Sequence, residues 1–177
     1  MRFFDTTCKF QYDWEHVTKA NWNKYPNELT THVEAVDILR REVDPKTGVL
    51  RTERLITCRQ AAPRWLQAVL GGQSVSYVRE VSEVDPKNKV LVMRSQNLTF
   101  SNILSVYETV TYRPDPTNSG VTLFHQHAEF EAYLAWRKLC HKVEDFSVDR
   151  FVQNASLGRK AFESVCDQFK QVSHQLA

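Results

Sequence analysis

With 177 residues, 42% of them apolar and 25% charged, the chain has the proportions of a single soluble domain large enough to bury its own core. A formal charge of +2 is too mild for a nucleic-acid binder, although it permits weak attraction to an anionic membrane surface. The four cysteines, Cys8, Cys58, Cys140 and Cys166, are scattered without a Cys-x-x-Cys and read as free thiols, not as a disulfide frame or a zinc site.

No run approaches the roughly 20 apolar residues of a membrane span. The opening residues, MRFFDTTCKFQYDW, have the look of neither a signal peptide nor an Arg/Ser-rich transit peptide, so any entry into an organelle is expected without a removable presequence of that kind.

Residues Arg2 to Tyr12 alternate, with Phe4, Cys8, Phe10 and Tyr12 on one side, which predicts a half-buried strand. Asp13 is placed to cap a short helix that presents Trp14, Val17 and Asn21 on one face and ends near Tyr25-Pro26. A second strand spans Val33 to Val43, and the turn DPKTG leads into a third, Leu50 to Arg59. The third strand puts Arg54 on the same face as Leu50, Thr52, Ile56 and Cys58. A guanidinium on a buried face needs a carboxylate or an anionic ligand, because an unpaired buried charge is very costly.

The next stretch, RQAAPRWLQAVLGG from Arg59 to Gly72, joins two strands yet is fourteen residues long and rich in Trp65, Leu66, Val69 and Leu70. A loop normally lies at the surface. An apolar one has to cover something, insert into something, or pack as an Ω-loop on its own body. Further strands are expected at Ser74–Val84, Val90–Leu98, Ile103–Tyr112 and Val121–Leu134, with the turn DPKNK after the fourth strand and an exposed loop RPDPTNSG over Arg113–Gly120.

From about Ala135 the period changes to 3.6, with Trp136, Cys140, Val143, Phe146, Phe151, Ala155, Phe162, Val165, Phe169 and Val172 on one stripe. This predicts a helix of roughly 35–40 residues, far above the usual length. Arg150, Asn154 and Gly158, spaced four apart, interrupt that stripe. Strand, helix, six strands and a long helix together make an α+β domain, residues 1–177, in which an antiparallel sheet curved around the long helix encloses an apolar cavity.

Catalytic motifs are weak. His125, His127 and Glu129 share the polar face of one strand, a poor wrapping for a metal. No Gly-x-Ser-x-Gly occurs, and Gly71-Gly72 has no following Lys-Ser/Thr to cradle a phosphate. No enzyme activity, metal or cofactor is expected. Arg54, Arg150, Asn154 and Lys24 are stronger candidates, either for an anionic ligand or for internal salt bridges with Glu80 or Glu108.

The stretch NWNKYPNELTTHV (Asn21–Val33) resembles the K/R-Y-P-N-x-x-x-x-H-V signature of the PRELI/MSF1 family of mitochondrial lipid-transfer proteins. TERLIT, PRWLQAVLGG, VREVSEVDP, MRSQNLTF, VYETVTY, KVEDFSVDRF and NASLGRKAFE continue the match in order. Within the family the chain looks most like the fungal phosphatidylserine-transfer member and the slowmo-like branch. The resemblance implies a seven-stranded helix-grip, START-like fold, a phospholipid as cargo, and residence in the intermembrane space. It implies a heterodimer with a small helical twin Cys-x9-Cys protein. It implies head-group contacts at Lys24, Arg54, Arg150 and Asn154, and a lid carrying Pro63, Trp65, Leu66, Val69, Leu70, Gly71 and Gly72, with Gly71-Gly72 as its hinge on our reading. Where the phosphatidic-acid branch places lysines, this chain has Cys58, Ala61 and Leu157, which favours phosphatidylserine. A phosphatidic-acid carrier and a non-transferring structural subunit are the alternatives.

Overall fold

Nearly every strand pairs with its neighbour in sequence, because short turns join them. In the computed structural model, which describes residues 1–59, 63–69 and 74–175, seven strands form one antiparallel sheet. They are β1 (Arg2–Phe10), β2 (Val33–Val43), β3 (Leu50–Arg59), β4 (Val75–Asp85), β5 (Val90–Asn97), β6 (Leu104–Asp115) and β7 (Asn118–Ala132), in the spatial order β1-β7-β6-β5-β4-β3-β2. Three helices accompany them: α1 (Trp14–Asn21), α2 (Arg64–Val69) and the 39-residue α3 (Arg137–Gln175). The expected α+β architecture of a curved sheet gripping one long helix is what the chain adopts.

Period two decides the inner face of each strand. Thr52, Arg54 and Ile56 of β3 are buried, as are Phe124, Gln126, Ala128 and Phe130 of β7. Aromatic residues seal one end of the interior. Phe10, Tyr112, Phe124 and Phe162 meet with ring centroids 5.2–6.2 Å apart, mostly edge to face. Trp14 Nε1 donates to the Tyr112 carbonyl at 3.2 Å and ties α1 to β6. Near the other end, Glu144 of α3 accepts from the Met1 ammonium at 2.8 Å and from the Ala132 amide at 3.1 Å. The start of the long helix is thereby pinned to the sheet.

Four expectations need correction. The first helix stops at Asn21, short of Tyr25-Pro26, and a single 3-10 turn, Glu28–Thr30, follows the proline. The Arg113–Gly120 loop is instead strand almost throughout. Asp115 is buried and accepts from the Thr117 amide (2.8 Å), the Thr117 hydroxyl (2.6 Å) and Lys9 Nζ (2.7 Å), so side-chain bonds close the turn. Pro114 sits beside a register shift, where its missing N–H does the ladder least harm.

The Arg59–Gly72 stretch is not loop alone. Pro63 precedes α2, and its carbonyl accepts from the Leu66 and Gln67 amides at 2.9 Å, a fit for a residue whose φ is already helical. Finally, Trp136 is not on the buried stripe. It precedes the first turn of α3 and is 76% exposed. The side chain of Val172 lies outside the described residues.

Candidate functional site

Between sheet and α3 lie two adjoining rooms. The inner one, about 190 Å³, is enclosed by the Lys24-Tyr25 segment, the middle of β3 to β7, and α3 from Phe151 to Phe162. The outer one, about 320 Å³, runs beneath α2 toward the β5–β6 connection and the first half of α3. His32, Cys58, Val78, Ser95, Glu108 and Phe151 line both rooms and form the passage between them.

The inner room holds the charges. Lys24 reaches it from the segment after α1, with its ammonium 5.3 Å from the centre of the Tyr25 ring. It comes so near α3 that a methyl group on Gly158 would lie 3.8 Å from Nζ. Burial works against the Lys24 charge, but Tyr25, Glu108 and Glu80 outweigh it and hold its pKa above the ordinary lysine value. Glu108 accepts from Ser95 Oγ at 3.0 Å and from Gln126 Nε2 at 2.6 Å. Its burial pushes the carboxyl up, against those two donors and the charge of Lys24. His32 is pushed down by burial and by Lys24, and so is neutral at pH 7.

Arg159 of α3 also lines this room, and its Nη1 is buried without a hydrogen-bond partner, as is Oε1 of Gln126. Buried polar groups are nearly always paired. These two orphans of opposite kind lie in one chamber, where a polar ligand could satisfy both.

The outer room is greasier: Leu66, Phe100, Ile103, Leu104, Phe130 and Phe146 face it, and Arg150 also lines it. Leu66 is buried and turned toward this room, so it covers apolar space and is not presented outward in this state. Trp65 packs edge-on against Phe146 at 5.8 Å and carries the Lys142 ammonium 4.3 Å from its ring. The guanidinium of Arg150 lies 5.6 Å from the Phe146 ring centre.

The head-group residues expected from the sequence thus separate. Lys24 and Asn154 line the inner room and Arg150 the outer one. Arg54 lines neither. Its Nε and Nη2 donate to Glu80 Oε1 at 2.9 and 2.5 Å, both side chains are buried, and Trp22 covers the guanidinium at 5.4 Å. Of the two partners for Arg54 weighed on sequence, an ion pair is the one present, and Glu80 then faces the inner room.

Of the lid residues, Pro63, Trp65 and Leu66 sit at α2. Leu70, Gly71 and Gly72 lie outside the described residues, as does the side chain of Val69. Arg159 was missed, although a signal existed: it is four residues after Ala155 and three before Phe162, on the apolar stripe itself. Gln126 gave the same kind of signal between Phe124 and Ala128. On the outer face, His125 and His127 lie 3.0 and 3.1 Å from Asp5 Oδ2, and no group of the described residues could hold a metal ion.

Residues 15–172 match the model of the PRELI-like family. The chain belongs to that family. It is 53% identical over 172 residues to the protein of Saccharomyces cerevisiae called UPS2, mitochondrial, covering 97% of this chain and 75% of that one. The slowmo homolog of Dictyostelium discoideum is 39% identical over 154 residues, covering 87% and 66%. Among solved structures, an aromatase/cyclase from Streptomyces superposes with a TM-score of 0.64 at 11% identity, covering 94% of each chain. A START superfamily protein from Mycobacterium smegmatis gives 0.54 at 15%, covering 94% of this chain and 97% of that one. At those identities the structural likeness concerns the fold, a sheet wrapped on a long helix around a hollow interior.

Proposed function

We propose that the protein is a mitochondrial carrier of single phospholipid molecules, without enzymatic activity, and that its preferred cargo is phosphatidylserine moved between the outer and inner membranes across the intermembrane space. The observation that carries this reading is the union of a charged room holding an unpartnered arginine with an apolar room capped by α2. An amphiphile with an anionic head fits that pair of spaces.

Family membership and the mitochondrial name of the S. cerevisiae relative support the setting. Burying acyl chains is worth about 0.8 kcal/mol per methylene, so two long chains hold a lipid in its bilayer by on the order of 25 kcal/mol. Spontaneous escape is negligible, and a carrier has to offer equivalent burial at the membrane itself. On this reading α2 opens against the leaflet and lets the head pass to the inner room, and Leu66 then closes over the chains. The phosphate meets Lys24, Asn154 and Arg159 through charge-assisted hydrogen bonds.

Cys58 supports phosphatidylserine over phosphatidic acid. It lines both rooms as an uncharged thiol, its pKa pushed up to about 11 by burial and then by Glu34, where the phosphatidic-acid branch carries a cation. A small helical twin Cys-x9-Cys protein is the proposed partner in the intermembrane space.

Mass spectrometry of lipid co-purifying with the protein, paired with transfer between donor and acceptor vesicles, tests the reading. Co-purified phosphatidylserine and its accelerated transfer are expected. Bound lipid without transfer would make the chain a structural subunit, and co-purified phosphatidic acid alone would overturn the head-group assignment.

A further inference from the structure

Resting on the carrier reading, we propose that Glu108 and Gln126 form a receptor for a protonated primary amine in the cargo's head group, in the same inner room as the phosphate site of Lys24 and Arg159. Four observations lead there.

The first is the amide of Gln126. Its Nε2 is committed to Glu108 Oε1 at 2.6 Å, which fixes the amide so that Oε1 is the free acceptor. With Glu108 ionised, the reverse orientation would set two acceptors against each other. Gln126 is only 6% exposed, so no bulk water serves that oxygen, and it needs a donor from something inside the room.

The second is Glu108 itself. Ser95 and Gln126 each give one hydrogen bond, leaving its two oxygens with spare lone pairs beside the free Gln126 acceptor. Three acceptor sites gathered at one point suit an ammonium, which brings three donors.

The third is the contrast with Glu80, which lines the same room but is already neutralised by Arg54 on the adjoining strand, paired in register. Of the two inward carboxylates, Glu108 alone lacks an arginine partner among the described residues, and Lys24 acts on it through its charge without an ion-pair contact.

The fourth is the formal charge of the room. Lys24 and Arg159 contribute two positive charges and Glu108 one negative, while Arg54 and Glu80 cancel and His32 is neutral. One positive charge remains. A serine phospholipid head carries a phosphate, a carboxylate and an ammonium, one net negative charge, and neutralises the room.

The remaining head groups each fail in a definite way. Phosphatidic acid in its dianionic form brings two negative charges and no donor for Gln126. Choline brings a cation with no N–H. Ethanolamine supplies the ammonium but leaves the room's positive charge standing. Leaving a buried acceptor or charge unsatisfied corresponds to about a tenfold to hundredfold loss in affinity. The expected order is therefore serine first, ethanolamine and phosphatidic acid well behind, and choline last.

Vesicle-to-vesicle transfer of these four lipids, matched in acyl chains, tests the assignment with the wild-type chain and with Glu108→Gln and Gln126→Met. Glu108→Gln leaves the room with two positive charges and is expected to move the phosphatidylserine-to-phosphatidic-acid transfer ratio toward phosphatidic acid by about tenfold or more. Gln126→Met is expected to depress phosphatidylserine transfer several-fold more than phosphatidic-acid transfer, and it serves as the test should the first variant fail to fold. A folded, active variant of either kind whose ratio matches the wild type would overturn the amine receptor and leave the carrier reading standing. A wild-type chain that moves none of the four lipids would remove the carrier reading, and this inference with it.

Discussion

The two rooms of the interior differ in what they leave unfinished. The outer one leaves apolar surface uncovered, closed by Leu66 and lined by the side chains that any long acyl chain would satisfy. The inner one leaves individual atoms unpartnered, Arg159 Nη1 and Gln126 Oε1, which only particular groups can satisfy. Apolar burial is non-directional and additive, whereas an unmade hydrogen bond in a dry site is directional and costly. On the carrier reading, capacity would reside in the outer room and selectivity in the inner one.

That contrast can be broken most directly at Arg159. Hydrogen bonds to a charged group are worth about 1.5–3 kcal/mol, so Arg159→Ala is expected to lower lipid retention about tenfold to a hundredfold while the fold survives. Quantifying co-purified lipid per protein checks this, and undiminished loading would move the head group out of the inner room. Next in size is the lid. Trp65→Ala together with Leu66→Ser is expected to slow extraction of fluorescent lipid from liposomes several-fold, and an unchanged rate would return α2 to plain packing.

A smaller effect concerns Glu108 in the empty protein. Its folded pKa is raised by burial above the ordinary value, so the fold favours the neutral acid. That contribution to stability is complete below about pH 4.5 and is lost as pH rises through the folded pKa. Glu108→Gln should accordingly gain in Tm relative to wild type between pH 4.5 and pH 7, and a parallel pair of curves would contradict the burial of a charge there. Smallest of all, Trp136→Ser should change the unfolding free energy by no more than about 0.5 kcal/mol, since so exposed a ring has little to lose. A larger fall in a denaturant titration would mean that the ring packs on the body of the protein.

How far the sequence could be read depended on whether a signal was local. The alternation of β3 was enough to turn Arg54 inward, but its partner was undecided because Glu80 meets it only through the register of β3 with β4. Arg159 and Gln126 also occupy apolar-phase positions, but Arg159 lies outside the four-residue spacing of Arg150, Asn154 and Gly158, and Gln126 sits on a strand face otherwise marked by Phe124, Ala128 and Phe130. A polar side chain in the apolar phase of a helix or strand is itself the signal. The α2 helix is hidden in the sequence because six residues show too little of a 3.6 period to separate helix from loop. The run of turn formers before β7 misled for a different reason: Asp115 bonds its neighbours so closely that only two residues, Pro116 and Thr117, separate the strands.

The position of Arg150 has a kinetic meaning. On the carrier reading, with entry beneath α2, a head group bound for the inner room crosses the outer one first, past Arg150 and the hydroxyls of Ser147 and Ser76. These side chains lie along the route and not at its end. Groups on a route lower the barrier equally for inward and outward passage and leave the equilibrium where it was. Arg150 would thus act on the cargo as a catalyst acts on a reaction, setting how quickly each delivery is completed without altering how much lipid the protein holds.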